Sequence, residues 1–179
     1  MLGKKKNIWF PMQREDLEQI YAIASCCHPL YPERDQVLAE KFFLGRGGCF
    51  VLRETQKAEG VPTVKSKIFG YALTHPYSYG CIPALDTFLH EVPQTACLLY
   101  IHDVALLPAI RGQGAGAQLL EQLKLYAQRE QYTTMALVAV NNSAAYWQKF
   151  GFVSKYLSNS QQKKLLSYGK EACYMVRQL

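Results

Sequence analysis

An α/β fold of the α+β kind is predicted by three observations. Segments with strand periodicity and segments with helical periodicity interleave along the chain in the order β-α-α-β-β-β-α-β-α-β-β. One stretch, Tyr100-Ile-His-Asp-Val-Ala-Leu-Leu-Pro-Ala-Ile-Arg-Gly-Gln-Gly-Ala-Gly116 followed by Ala-Gln-Leu-Leu-Glu-Gln-Leu, reads as a strand, a sharp glycine turn and a helix start. The 179 residues, 49% of them hydrophobic, suffice to bury one sizeable core, so residues 1–179 are expected to form a single domain.

Taken in order, a short strand around Asn7 to Met12 leads into a helix with Leu17, Ile20, Tyr21 and Ala24 on one face and Asp16 in its first turn, where the helix dipole favours an acid. Pro29 and Pro32 break the chain, and a second helix from Glu33 to Leu44 stops at Gly45-Arg-Gly-Gly48. Cys49 to Arg53 and Lys67 to Thr74 read as strands joined by a polar hairpin loop containing Glu59-Gly-Val-Pro62. His75 to Thr95 is a long aromatic and proline-rich connection, too long for a turn. Then come a strand at Ala96 to Leu106, a helix at Gly114 to Arg129 and a strand at Thr133 to Val140. A helix at Ser143 to Phe150, with Ser143 as N-cap, precedes strands at Phe152 to Leu157 and Ala172 to Arg177.

The glycine turn carries the first functional signal. Gly112, Gly114 and Gly116 put no side chains in the way, so the backbone N–H groups from Gly112 to Ala117 can close around an anion at the positive end of the helix dipole, with Arg111 adding a full charge. A P-loop is excluded because Gly116 is followed by Ala117-Gln118 rather than Lys-Ser/Thr. Gly112-x-Gly114-x-x-Ala117 meets the loose dinucleotide fingerprint, but the next strand ends in Asn141-Asn142-Ser143 without the acid that would hold a ribose.

Arg111-Gly-Gln-Gly114-Ala-Gly116 resembles the Gln/Arg-x-x-Gly-x-Gly/Ala signature of the GNAT superfamily of N-acetyltransferases, and Ala144-Ala-Tyr-Trp-Gln-Lys-Phe-Gly-Phe152 is similar to that family's later helix ending in Gly-Phe. Within the superfamily the chain resembles the arylalkylamine N-acetyltransferases at His28-Pro-Leu30, His75-Pro76 and Tyr100-Ile-His102, with His28 where that loop has Cys and Tyr100 where the first histidine of His-x-His stands. The resemblance implies a central mixed, mostly antiparallel sheet of about seven strands flanked by four helices. It also implies acetyl transfer from acetyl-CoA, a cosubstrate, to a primary amine of a small molecule, arylalkylamine or polyamine, by direct attack and without a metal.

On that resemblance His102 is the expected base, acting directly or through water, since an alkylamine is almost wholly protonated at pH 7 and imidazole titrates near pH 6.5. Strand alternation places Tyr100, His102 and Val104 on one face and Ile101 and Asp103 on the other, so Tyr100 shares the site and Asp103 is structural. The backbone of Val104, Ala105 and Leu106 is implied to bind the pantetheine arm and polarise the thioester carbonyl. With Arg111, Gly112, Gln113, Gly114, Ala115, Gly116 and Ala117 it forms the expected coenzyme site. Asn142, like Asn141, either bonds the coenzyme or shapes the turn. The family's usual acid is a tyrosine where this chain has Trp147, whose indole can donate a hydrogen bond but is no acid at neutral pH. Tyr146, one residue earlier, Tyr168 in Ser167-Tyr-Gly169, or no side-chain acid at all stay open for that role. Pro29, Leu30, Trp147 and Tyr168 are expected to line the acceptor site, and Glu33, Asp86 and Glu91 are the acids that would face a polyamine.

The net charge of +6 and pI near 9.0 come from basic residues spread along the chain, which argues against nucleic acid and for a solvated surface plus a phosphate-bearing ligand. Lys4 to Lys6 read as a solvated, mobile end. No apolar run spans a bilayer, and the N-terminus lacks a signal-peptide core. The six cysteines show no Cys-x-x-Cys spacing, so neither a metal site nor a disulfide framework is expected and a reducing, cytoplasmic setting follows. A monomer or homodimer is expected. Two alternatives stand beside the small-amine reading: acetylation of peptide or protein amines, and a catalytically degenerate CoA-binding module.

Overall fold

The computed structural model describes residues 6–45, 47–55 and 66–179. The hairpin loop at Glu59 to Pro62 and the basic residues Lys4 and Lys5 lie outside the described residues. Seven strands form one sheet: β1 Lys6–Pro11, β2 Phe50–Thr55, β3 Ile68–Tyr77, β4 Leu98–Leu106, β5 Thr134–Ala139, β6 Val153–Ser154 and β7 Cys173–Gln178, in the order β1-β2-β3-β4-β5-β7-β6. Every neighbouring pair is antiparallel except β4 and β5. The helices are α1 Leu17–Cys27, α2 Asp35–Leu44, α3 Ala115–Arg129, α4 Ala144–Gln148 and α5 Asn159–Leu165.

The helices divide between the two sheet faces because their apolar stripes must be covered. On one face Leu119, Leu120, Leu123 and Ala127 of α3 pack on Leu99, Ile101, Met135 and Leu137. On the other, Leu17, Ile20 and Ile23 of α1 and Leu38 of α2 pack on Val51, Tyr71 and Leu73. A third cluster joins Tyr77, Leu98, Tyr100 and Tyr174 of the sheet to Ile82 and Leu165.

Three expectations change. His75 to Tyr77 extend β3 rather than opening the long connection, because they pair with Tyr100, Leu99 and Leu98. The expected strand at Phe152 to Leu157 shrinks to Val153–Ser154, an exposed edge with a single neighbour. Between it and β7 lies α5, whose polar sequence Asn-Ser-Gln-Gln-Lys-Lys-Leu carries almost no apolar periodicity and buries only Leu165.

Two features of β4 shape the site. It pairs with β5 over Leu99 to Ile101 only, and then runs on to Leu106 while the strands splay. Its register against β3 also slips: Leu73 faces Asp103 while Thr74 faces Ile101, so His102 is the extra residue of a β-bulge. The bulge cancels the alternation that sent Asp103 to the opposite face. His102 and Asp103 both meet groups of the connection between α1 and α2, His102 reaching Glu33 and Asp103 reaching His28.

Candidate active site

The glycine turn forms as its sequence requires. Gly112 and Gly114 have φ of 77° and 82°, the left-handed region that favours glycine, and Gly114 is the N-cap of α3. At Gly116 a β-carbon would collide with the Tyr146 hydroxyl, so glycine there lets Tyr146 close over the first turn of the helix. Arg111 donates through Nε to the Leu106 carbonyl at 2.8 Å, which turns its guanidinium across the mouth of the splay. From β1 the Trp9 indole donates to the Ala115 carbonyl at 2.8 Å and pins the helix start to the sheet. Several backbone N–H groups, a helix dipole and an arginine thus converge on an anion-sized hollow, which fits a coenzyme carrying a pyrophosphate. Gly114→Ala is expected to weaken CoA binding about tenfold, since a side chain at that φ costs roughly 1–2 kcal/mol in the conformation the cradle needs. Calorimetric titration with CoA measures it.

From this cradle a cleft of about 580 Å³ runs along β4. Its walls pass from Gly112, Gly114 and Ala115 to Val104, Ala105 and Leu106, and on to Asp103, His102, Tyr100 and Tyr168, with Tyr146 and Trp147 opposite. Gln113 does not line it: its amide donates to the Ala109 carbonyl at 2.9 Å and braces the turn. Asn142 is an exposed left-handed turn residue, and its neighbours Asn141 and Ser143 line the cleft instead. Pro29 and Leu30 are exposed and lie off the cleft, Leu30 at 74% exposure; the flanking residues His28 and Tyr31 are the ones that face it.

At the far end His102 Nε2 lies 3.0 Å from Glu33 Oε2, with side-chain exposures of 2% and 8%. Glu33 also accepts the Asp86 backbone N–H at 3.1 Å. Burial alone would raise the Glu33 pKa, but the charge and hydrogen bond of His102, the Asp86 amide and Lys41 together bring it down to about 2. The ionised carboxylate therefore accepts the Nε2 proton, which leaves Nδ1 as the other ring nitrogen. That atom is buried with no hydrogen-bond partner among the described residues, so it is the one free to take a proton.

Behind His102 stand His75 and Tyr100. His75 packs 5.4 Å from each of their rings and donates through Nδ1 to the Pro76 carbonyl at 3.0 Å. Burial, reinforced by the neighbouring His102, drives the His75 pKa down to about 3, so it is neutral at pH 7. β3 thus sets a second imidazole beside His102. Burial pushes the Tyr100 phenol well above its ordinary pKa, and the ring serves as a wall. Tyr168 donates to the Pro83 carbonyl at 3.0 Å, and its phenol is likewise raised by burial. Trp147 packs edge-on against Phe152, 5.6 Å between centroids, and forms the wall facing β4.

The acceptor end is roofed. The connection after β3 is tied to α2 and the residue before it by Arg34 on both Asp86 carboxylate oxygens, by Lys41 on the Thr87 carbonyl, and by Glu40 on the Leu89 and His90 amides. On its other side Gln161 of α5 accepts the Ile82 amide, and Tyr168 holds Pro83. Leu85 and Tyr168 from these two connections line the cleft. The partnership of Glu33 with His102, 69 positions apart, has no local sequence signal.

A splayed parallel pair with an anion cradle at its opening and a carboxylate-held imidazole within is an architecture suited to moving an acyl group from a phosphorylated carrier to a nucleophile. The fold is similar to the loading GNATL domain of CurA from Lyngbya majuscula, with a TM-score of 0.74 at 14% identity over 97% of this chain and 98% of that one. It is also similar to a chain of the NatC complex bound to Gag peptide and CoA, with a TM-score of 0.68 at 18% identity over 97% and 99% of the two chains. Arabidopsis thaliana Naa50 in complex with a bisubstrate analogue, CoA-Ac-MVNAL, gives a TM-score of 0.62 at 16% identity over 95% and 96%. No curated protein matches the chain by sequence. The profile of the Acetyltransferase (GNAT) family matches residues 17–152, and the chain belongs to that family of acetyl-CoA-dependent acyltransferases. Among the described residues, no cluster of three or more His, Cys, Asp and Glu side chains could hold a metal, and no helix is long and apolar enough to cross a membrane.

Proposed function

We propose that the protein acetylates the primary amine of a small molecule, an arylalkylamine rather than a polyamine, by direct attack on acetyl-CoA. The observation that carries this reading is that the connections on both sides of the acceptor end are hydrogen-bonded in place, with Leu85 and Tyr168 reaching the cleft; on our reading they admit a compact amine more readily than an extended polypeptide. The walls favour an aromatic group, since Tyr31, Leu85, Tyr100 and Tyr168 surround the acceptor end. A polyamine would need unpaired acids. Asp86 is engaged by Arg34, Glu91 is exposed and off the cleft, and Glu33 and Asp103 each face a histidine.

Bound acetyl-CoA supplies an acetyl thioester as electrophile. Arg111 and the amides from Gly112 to Ala117 hold its phosphates, and Tyr146, closed over Gly116, is assigned to this coenzyme side rather than to proton transfer. Beyond Ile101 the edge of β4 that faces β5 has no strand partner, so the backbone groups of Val104 to Leu106 on that edge are assigned to align the pantetheine arm and polarise a carbonyl. His102 Nδ1 takes a proton from the amine while Glu33 stabilises the resulting imidazolium, and the aromatic walls exclude water. A reducing compartment such as the cytoplasm suits the six free cysteines.

Thiol release from acetyl-CoA in the presence of a panel of arylalkylamines, polyamines and short peptides tests the proposal. Turnover fastest with arylalkylamines is expected. Preference for peptides would select the protein-acetylating alternative, and tight CoA binding without turnover of any amine would select the degenerate module.

A further inference from the structure

The departing thiol of an acetyl-CoA-dependent transfer needs a proton, and of the phenols that the sequence offered one is hydrogen-bonded away and the other lies at the cradle. Trp147 stands at the expected position, Tyr146 lies over Gly116 in the cradle, and Tyr168 holds Pro83. On the opposite wall the α1 terminus and the residues after it meet β4 in order. Cys27 lies beside Leu106 and Arg111, His28 beside Asp103, and Glu33 beside His102. His28 therefore sits between the coenzyme end of the cleft and the base. Its Nε2 is 2.9 Å from Asp103 Oδ1, and the Tyr71 hydroxyl donates to the other oxygen of the same carboxylate, fixing it.

We propose that His28, held by Asp103, is the general acid that protonates the leaving thiolate of coenzyme A. This rests on the acetyl-transfer reading above. As the amine nitrogen bonds to the acetyl carbon, the carbon–sulfur bond breaks and its electron pair stays on sulfur. The amine proton goes to His102 Nδ1 and the sulfur receives a proton from His28, so the chain as a whole keeps its proton count. Once the products leave the cleft, His102 Nδ1 returns its proton to water and His28 takes one back, which restores both rings for the next turnover.

A small second cavity of about 40 Å³ adjoins His28 on the side away from the main cleft's coenzyme end. It is lined by Ser25, Tyr31 and both acid–imidazole pairs' inner residues, Glu33, His28 and Asp103, and it has room and polar partners for a water molecule or two. The groups that face His28 favour the charged ring an acid needs. Burial opposes the charge, but Asp103 and the Val104 backbone outweigh it and raise the pKa, with Arg111 working against them. Cys27 adjoins it and Glu33 faces it across the small cavity.

The test begins with the wild-type protein and any amine it turns over; absence of turnover would sink the functional reading and leave this one to the titration that follows. In the coenzyme-free protein, NMR titration is expected to show the His28 ring titrating above ordinary histidine, and Asp103→Asn is expected to bring it back down. In turnover, His28→Gln should lower kcat about 10- to 100-fold, leave the KM for acetyl-CoA unchanged and abolish the alkaline limb of the pH–rate profile. The loss should shrink with an acetyl thioester whose thiol is more acidic. A His28 that titrates normally, or a His28→Gln variant that keeps both kcat and the alkaline limb, would overturn the assignment.

Discussion

His102→Ala is expected to lower kcat about 100- to 1000-fold at pH 7, with the KM for acetyl-CoA unchanged. An alkylamine with a pKa near 10 presents only about a thousandth of its molecules as free base at pH 7, so a positioned base accounts for most of the neutral rate. The deficit should narrow steadily as pH approaches 10, where the amine deprotonates unaided. Glu33→Gln should reproduce part of the effect, about tenfold or more, because it removes the charge that fixes the Nε2–H tautomer and stabilises the imidazolium. Steady-state pH–rate profiles of the three proteins check both. A His102→Ala profile parallel to the wild type would remove His102 from the chemistry.

The second large effect is on stability in acid. His75 is fully buried with a pKa of about 3, below the ordinary 6.5, so the unfolded chain binds its proton first. Stability contributed by keeping this ring neutral is whole above pH 6.5 and declines as pH falls towards 3, by several kcal/mol in order of magnitude. Glu33 acts in the same direction over a lower window: its folded pKa of about 2 lies below its ordinary 4.5, so its contribution is present above 4.5 and lost as pH falls through 2. Urea denaturation at pH 7, 6, 5 and 4 should show the unfolding free energy dropping throughout. His75→Gln, which keeps a donor for the Pro76 carbonyl, should flatten that slope even if it starts from a lower value. An unaltered slope would show that His75 does not govern the acid limb.

The glycine turn at the start of α3 was legible in the chain because its signal is local. Gly112, Gly114 and Gly116 announce a cradle by what they lack, and Arg111 and the helix behind it are contiguous with them. The acceptor half is assembled from residues 28, 31, 33, 85, 100–103 and 168, with His75 behind them, and sequence could not set their register. Alternation along β4 gave the wrong face for Asp103 because a bulge is one residue, invisible in a run of apolar and polar positions. Pro29 and Leu30 drew the eye as the loop's hallmark, yet the turn exposes them and directs His28 and Tyr31 inward. The polar helix α5 escaped notice because it is held by Leu165 and by hydrogen bonds to the roof rather than by an apolar stripe.

The most direct test of the central claim, that this cleft joins an acetyl-CoA cradle to an enclosed small-amine site, is the ratio of kcat/KM for a simple arylalkylamine to that for a short peptide with a free N-terminus. The roof over Glu33 and His102 predicts a ratio of about ten or more in favour of the arylalkylamine. A ratio below one would contradict it.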